Sequence, residues 1–196
     1  MNYSLYAEST PNPEVMKFVS NRILSNNTIE ITSIEAAKNI PIAKELFSFP
    51  FVKSVFLSKN FISITKISNV LWEDIAMQLR VFILEFLNNS NFSSDNSDVI
   101  ETISENKEEG SMIDEKDFIG DEKEISNLIN EYIKPAVESD GGSITLDSFD
   151  DGVVTVILSG ACSGCPSSTL TLKQGVENLL KQKLGDKIKS VVSKNR

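Results

Sequence analysis

Residues 153–168 read VVTVILSGACSGCPSS, and this stretch decides how the second half of the chain folds. The run of β-branched and aliphatic residues at 153–158 predicts a strand, and Pro166 suits the first position of a helix. The segment between them is made of small residues and holds the only two cysteines of the chain, Cys162 and Cys165. We therefore expect an exposed cysteine loop between a strand and a helix, close to the positive end of the helix dipole.

The sequence around this stretch predicts the order α, β, β, α, β. Apolar residues at helical spacing from Ile125 to Val137 predict a first helix, and Pro135 would stop or kink it. Asp151-Gly152 predicts the turn of a hairpin, and a second helix should follow Pro166 and end at Gly185, before a last strand at 188–192. The expected core residues are Ile129, Ile133, Leu146, Val154, Val156, Val176 and Leu180.

The first half of the chain has its own pattern of strands and helix. Residues 51–57 and 61–65 predict a hairpin, 16–19 a further strand, and 29–31 a weaker one. From Trp72 to Phe86 the apolar residues follow one helical face, so that we expect Trp72 in the core; a recognition role for Trp72 is the alternative. The expected core residues are Phe18, Val55, Phe56, Ile62, Ile64, Leu79 and Ile83.

The net charge of −9 lies in one segment. Residues 91–125 hold 3 basic and 12 acidic side chains, whereas the regions before and after are balanced. Like charges without a periodic apolar face favour a solvated chain, although an acidic helix packed on a partner is an alternative. The sequence predicts an α+β protein of two small domains, each a short sheet covered by helices: 1–90, a flexible acidic linker at 91–121, and 122–196.

Composition excludes several classes of function. The chain has no histidine, which removes the commonest general base and a common metal ligand. Two cysteines are too few for a disulfide-stapled secreted protein, and the first residues, MNYSLYAEST, do not resemble a signal peptide. No basic cluster indicates nucleic-acid binding and no apolar run indicates a membrane span. We expect a cytoplasmic protein with neither nucleic acid nor membrane as partner.

The residues by themselves leave three readings of Cys162 and Cys165. They are a structural pair or an adventitious disulfide, a thioredoxin-like redox pair, or ligands of a metal or cluster. Zinc and iron–sulfur clusters usually take about four ligands, and this chain supplies two thiolates. Two chains related by a twofold axis could pool their cysteines, so the third reading predicts a dimer.

Both halves resemble the Nfu/NifU family of iron–sulfur cluster carriers. In the second half the resemblance rests on YIKPAV at 132–137, DGG at 140–142, GACSGCPSS at 160–168 and TLK at 171–173. In the first half it rests on TPNP at 10–13, MKF at 16–18, FVKSVF at 51–56 and WE at 72–73. Ser143 departs from the family pattern, which often has an acidic residue there.

The resemblance implies a carrier without turnover chemistry of its own. It would hold a 4Fe-4S cluster, or a 2Fe-2S cluster, between Cys162 and Cys165 of two subunits. It would receive the cluster from upstream assembly machinery and pass it to apoprotein clients. A thiol oxidoreductase acting through a Cys162–Cys165 disulfide is the alternative, and structural zinc at a dimer interface needs the same ligands.

Overall fold

A computed structural model of the chain describes residues 2–89, 111–112, 118–163 and 166–195. The chain divides into two compact units, Met1–Ile113 and Asp114–Arg196, each with a sheet and an apolar core of its own. This confirms the predicted α+β class with two small sheets and covering helices. Among the described residues, no helix is both long enough and apolar enough to cross a membrane.

The first unit is built on a six-stranded antiparallel sheet. Its strands lie in the order β1-β2-β5-β4-β3-β6, and the predicted hairpin forms β4 and β5. The elements are β1 (Leu5–Ser9), β2 (Val15–Ser20), β3 (Ser25–Ile31), α1 (Pro41–Leu46), β4 (Val52–Lys59), β5 (Phe61–Lys66), α2 (Trp72–Asn89) and β6 (Ser111–Met112). Strands β1 and β6 and helix α1 were not predicted, because short elements give little periodicity to recognise.

Both helices of the first unit contribute to one core on one face of the sheet. The predicted core residues are buried, but Phe56 belongs to a small separate cluster on the opposite face, with Val19 and Phe61. Trp72 is partly buried against the core, and its indole N–H donates to the Pro13 carbonyl at 3.0 Å. The prediction that Trp72 packs with the apolar face of α2 is therefore confirmed, and Trp72 lies at the edge of the core.

Most of the predicted linker, 91–121, lies outside the described residues. Two of its residues, Ser111 and Met112, form the edge strand β6 and pair antiparallel with Glu30 and Ile29 of β3. At its other end, a helix of the second unit begins at Gly120. The boundaries 1–90, 91–121 and 122–196, and the flexible character of the linker, stay predictions.

The second unit has the predicted order of elements. These are α3 (Gly120–Leu128), a π-helical segment (Ile129–Ile133), α4 (Lys134–Ser139), β7 (Gly142–Asp150), β8 (Val153–Gly160), α5 (Pro166–Leu184), a 3₁₀ turn (Gly185–Lys187) and β9 (Ser190–Asn195). Pro135 does not end the first helical region; a π-helical segment precedes it instead. Because proline has no N–H, it cannot continue the i→i−4 ladder, and a wider turn just before it accommodates the break.

One hairpin and one crossover form the sheet of the second unit. Strands β7 and β8 are antiparallel, and Asp151 and Gly152 take φ values of 43° and 80° at the turn, as the Asp-Gly pair predicts. Strand β9 is parallel to β8 and follows α5. The predicted core residues are buried except Ile133, which is partly buried and packs against the same cluster.

Glu177 of α5 connects this helix to strand β9. Its carboxylate accepts hydrogen bonds from Lys181 Nζ at 2.6 Å and from the Val191 backbone N–H at 3.1 Å. These two hydrogen bonds, with that of Lys181 the larger, lower the pKa of Glu177 below its ordinary value of 4.5. Because the folded state favours the ionised carboxylate, its stabilisation is complete above the unfolded pKa and is lost as pH falls through the lower folded pKa.

We expect the second unit of the Glu177→Gln variant to lose less stability than that of the wild type as the pH falls. Between about pH 5 and 3 the urea midpoint of the wild type, followed by NMR, should fall more steeply than that of the variant. Glu131→Gln, at an exposed position in the π-helical segment, is the matched control for the loss of one carboxylate, and its urea midpoint should follow that of the wild type. Equal profiles for the two variants would contradict a role for the Glu177 carboxylate.

Candidate metal centre

The cysteine loop connects the end of β8 to the start of α5. Gly160, the last residue of β8, has φ +65°, a left-handed conformation that glycine adopts without steric cost and that turns the chain out of the strand. Pro166 is the first residue of α5, as predicted from its position. Gly164 and Cys165 lie outside the described residues, so the geometry of the loop is given by Cys162 and its neighbours.

Cys162 is buried, with only 7% of its surface exposed. It belongs to the apolar core cluster of the second unit, among side chains of both helical regions and of the sheet. The expectation of an exposed loop is therefore wrong for this cysteine. Its side chain instead belongs to the apolar core of the second unit.

A glycine of the opposite strand makes room for Cys162. A Cβ atom built on Gly142 would lie 2.7 Å from Cys162 Sγ, 2.8 Å from the Ser159 carbonyl oxygen and 3.0 Å from Cys162 N. The neighbouring Gly141, with φ +83°, accepts a hydrogen bond from the Ala161 N–H at 3.2 Å. The two glycines, which entered the sequence analysis only as part of the DGG motif at 140–142, thus form one wall of the site.

Two hydroxyl groups hold the backbone of the loop. Ser163 donates both its N–H and its side-chain O–H to the Gly160 carbonyl, at 3.1 and 2.9 Å. Thr169, in the first turns of α5, donates its hydroxyl to the Cys162 carbonyl at 3.4 Å. The role of Thr169 was not predicted from the sequence, because nothing in the residue spacing shows that its side chain contacts the backbone of the loop.

Ser143, the departure from the family pattern, lies close to this loop. It pairs with Ser159 across β7 and β8, and both side chains are buried, with 3% and 1% exposure. The Ser159 hydroxyl is buried without a hydrogen-bond partner. An acidic residue at position 143 would bury a carboxylate beside these groups, and burial of an unpaired charge costs free energy. The neutral serine avoids this cost.

The chain offers two thiols and no imidazole as metal ligands. The sequence contains no histidine and no cysteine besides Cys162 and Cys165. Within the described ranges, no three Cys, Asp or Glu side chains come together in a way that could hold a metal ion. A single chain therefore offers at most two soft ligands for a metal, where a closed tetrahedral site needs four.

The fold and the loop define a class of small α+β proteins that carry a cysteine pair between a strand and a helix. Residues 5–90 match the family described as "Scaffold protein Nfu/NifU N terminal", and residues 125–192 match the "NifU-like domain". The chain belongs to the Nfu/NifU-like family. The resemblance of both halves, first found in their motifs, is thereby confirmed.

Three relatives show how far the similarity extends. The human "NFU1 iron-sulfur cluster scaffold homolog, mitochondrial" is 33% identical over 180 residues, which are 90% of this chain and 66% of the relative. The Drosophila willistoni protein of the same name is 35% identical, over 90% and 58% of the two chains. The "NifU-like protein 4, mitochondrial" of Arabidopsis thaliana is 31% identical, over 90% and 61%.

This chain thus spans between 58% and 66% of the length of these three relatives. Their names place those proteins in mitochondria. For this chain a cytoplasmic location stays a prediction.

We expect Gly142→Ala to disturb the position of the Cys162 sulfur. The added Cβ would overlap the sulfur and the Ser159 carbonyl, which should cost about 1–3 kcal/mol of unfolding free energy. The displaced thiol should react several-fold faster with iodoacetamide, measured by mass spectrometry of the peptide that contains Cys162.

Gly175→Ala is the control for this variant. Gly175 lies in α5 with no atom within 4 Å of an added Cβ. Alanine there should stabilise the helix by about 0.5–1 kcal/mol and leave the reaction rate of Cys162 unchanged. If both variants left the rate unchanged, Gly142 would not position this thiol.

Proposed function

We propose that this protein is an iron–sulfur cluster carrier that binds its cargo through Cys162 and Cys165 of two subunits and delivers it to apoprotein clients. The observation that carries the proposal is the backbone at Cys162, which is fixed by glycine contacts and by hydrogen bonds from hydroxyl groups. One chain nevertheless contains too few ligands for a closed metal site. Relatives that share both halves are named cluster scaffolds.

The ligand shortage supports a cluster shared between two chains. Two thiolates from each of two subunits supply four, which is the usual number for a 4Fe-4S cluster and for a 2Fe-2S cluster. The simplest arrangement is a twofold axis that passes through the cysteine loops. When the subunits separate, each thiolate pair can be replaced by client thiolates, so the cargo moves by ligand exchange without oxidation or reduction of the protein.

The surroundings of Cys162 favour ligand over redox chemistry. A disulfide exchange protein presents its attacking thiolate to other proteins, and this requires access to the sulfur. Cys162 is 7% exposed and packs on the core beneath the loop. An apolar environment on one side of a cluster ligand limits solvent access to the cargo, a role that suits a carrier.

The other partners follow from the same proposal. A carrier takes its cluster from an assembly system upstream and passes it to apo iron–sulfur proteins downstream, so its partners are proteins rather than nucleic acid or membrane. No catalytic residue is assigned, because ligand exchange at a cluster needs no general base. Cys162 and Cys165 are the proposed cofactor-binding and metal-binding residues.

Replacement of either cysteine should abolish cluster binding. After anaerobic reconstitution, Cys162→Ala and Cys165→Ala should each retain less than about a tenth of the wild-type iron and sulfide, since a cluster with two missing thiolates per dimer is poorly held. Ser163→Ala is the control; it removes a loop hydrogen bond worth about 1 kcal/mol and should keep most of the cluster.

Iron and sulfide counts, visible absorption spectra and zinc analysis would be collected for all four proteins. Full loading of either cysteine variant would remove that residue from the ligand set. A wild-type protein that binds zinc but no iron would favour a structural zinc site, and one that binds neither, with a thioredoxin-like dithiol potential, would favour the oxidoreductase.

Cluster loading should also drive dimerisation by mass action. A ligand that binds only the paired state stabilises that state, so we expect loaded protein to be dimeric and apoprotein largely monomeric in native mass spectrometry. Mixing loaded protein with an apo iron–sulfur enzyme and a chelator should activate the enzyme faster than free iron and sulfide do. Complete inhibition by the chelator, or an equally tight apo dimer, would contradict transfer from a shared cluster.

A further inference from the structure

One face of helix α5 is exposed and carries no charged side chain. Residues of a helix that are three or four positions apart lie on the same side. Between positions 169 and 180 the exposed residues of α5 are Leu170, Thr171, Gln174, Gly175 and Asn178. Charged side chains make up 24% of the whole chain, and the solvent side of a helix is where they normally lie. We call this surface the uncharged face.

The charged residues of this part of α5 interact with one another and with strand β9. Lys173 and Glu177 are only partly exposed. The Glu177 carboxylate accepts hydrogen bonds from the Val191 N–H of β9 and from Lys181 Nζ, and the charge of Lys173 also acts on it. The second unit therefore uses these charges internally, and the uncharged face is left to solvent.

Gly175 has no role within the second unit that requires a glycine. It lies in the interior of α5, where glycine costs about 0.5–1 kcal/mol relative to alanine. Its φ is not positive, and among the described residues no atom lies within 4 Å of an added Cβ. A glycine at this place does allow a second helix to approach closely, because the distance between packed helices depends on the side chains at the contact.

Leu170 adds an apolar group to the same face. It is 60% exposed, whereas Val176 and Leu180 of the same helix are fully buried in the core. A single exposed leucine is ordinary on a protein surface. Beside an unexplained glycine and with no charge around it, however, it resembles the middle of a protein interface, where charged residues are depleted.

The uncharged face begins at the cysteine loop. Thr169, the neighbour of Leu170, donates its hydroxyl to the Cys162 carbonyl at 3.4 Å. From Leu170 to Asn178 the helix rises about 12 Å. A molecule that brings further thiolates to this loop therefore comes close to the uncharged face.

We propose that two copies of the chain pack against each other through their uncharged faces in the cluster-loaded dimer. This inference rests on the proposed function, in which a second chain supplies two thiolates at the loop. Near a twofold axis a charged side chain faces its own copy, and like charges repel. An uncharged face avoids this repulsion, whereas a partner of opposite charge would be better matched by a charged surface.

The size of the face explains why a cluster is needed to hold the dimer. A stable interface usually involves roughly 20–30 residues on each side, and the uncharged face contributes five. Two such faces are too small to pair without the cluster. They orient the two loops once the cluster joins them, and this limits the ways in which the subunits can meet.

Charge changes at Gln174 test whether this face meets its own copy. Anaerobically loaded full-length protein would be studied by native mass spectrometry and sedimentation. Gln174→Glu and Gln174→Lys should each raise the dissociation constant of the loaded dimer at least about tenfold, because like charges then face each other. A loaded mixture of the two variants should regain wild-type dimerisation as a heterodimer. Asn127→Glu, at an exposed position of α3, is the control and should behave like the wild type.

Gly175→Leu separates interface effects from folding effects. Leucine favours a helix over glycine, and an added Cβ meets no described atom, so the unfolding free energy of the apoprotein should not fall. The loaded dimer should nevertheless dissociate at least about tenfold more readily, because the two helices cannot approach as closely.

Three results would count against the inference. Unchanged dimerisation of both Gln174 variants and of Gly175→Leu would overturn it and leave the proposed function standing. Normal dimers with slower transfer to an apo iron–sulfur protein would also overturn it, because the face would then belong to the client contact. Wild-type protein that takes up no cluster would overturn the proposed function, and this inference with it.

Discussion

The candidate site depends on one close approach, between the backbone of Gly142 and the thiol of Cys162. There is no room for a side chain at Gly142, since a Cβ would lie 2.7 Å from the sulfur. The approach joins the first strand of the second sheet to the loop that follows the second strand. The hairpin therefore helps to fix the position of the Cys162 side chain.

The remainder of the second unit maintains this contact. Strand β9 lies parallel to β8 on the side away from β7, and Glu177 ties it to α5 through the Val191 N–H. Helix α5 in turn holds the loop backbone through Thr169 and the Cys162 carbonyl. Helix α5 is thus tied to the Cys162 backbone near its start and to β9 from its middle.

The two units use their sheets in different ways. In the second unit both helical regions and the cysteine pack into one core, and the chemistry lies at an end of the sheet. In the first unit the helices fill one face, while the opposite face buries aromatic and charged side chains and carries no proposed ligand group. The cysteine loop thus belongs to the second unit alone.

The sequence alone determined the α+β class, the order of elements in the second unit and the main hairpins, because burial imposes periods of 2 and 3.6 on the residues. All the core residues that it predicted are buried except Ile133, but the two cores also contain many residues that it did not predict. It also identified both cysteines and the helix start at Pro166, which follow from local chemistry. It missed short elements such as β1 and α1, and it placed Phe56 with the helix-side core, although this residue faces the other way. Only the tertiary structure decided that Cys162 is buried and that Gly142 makes room for it, since residues 20 positions apart meet only when two strands pair in one register.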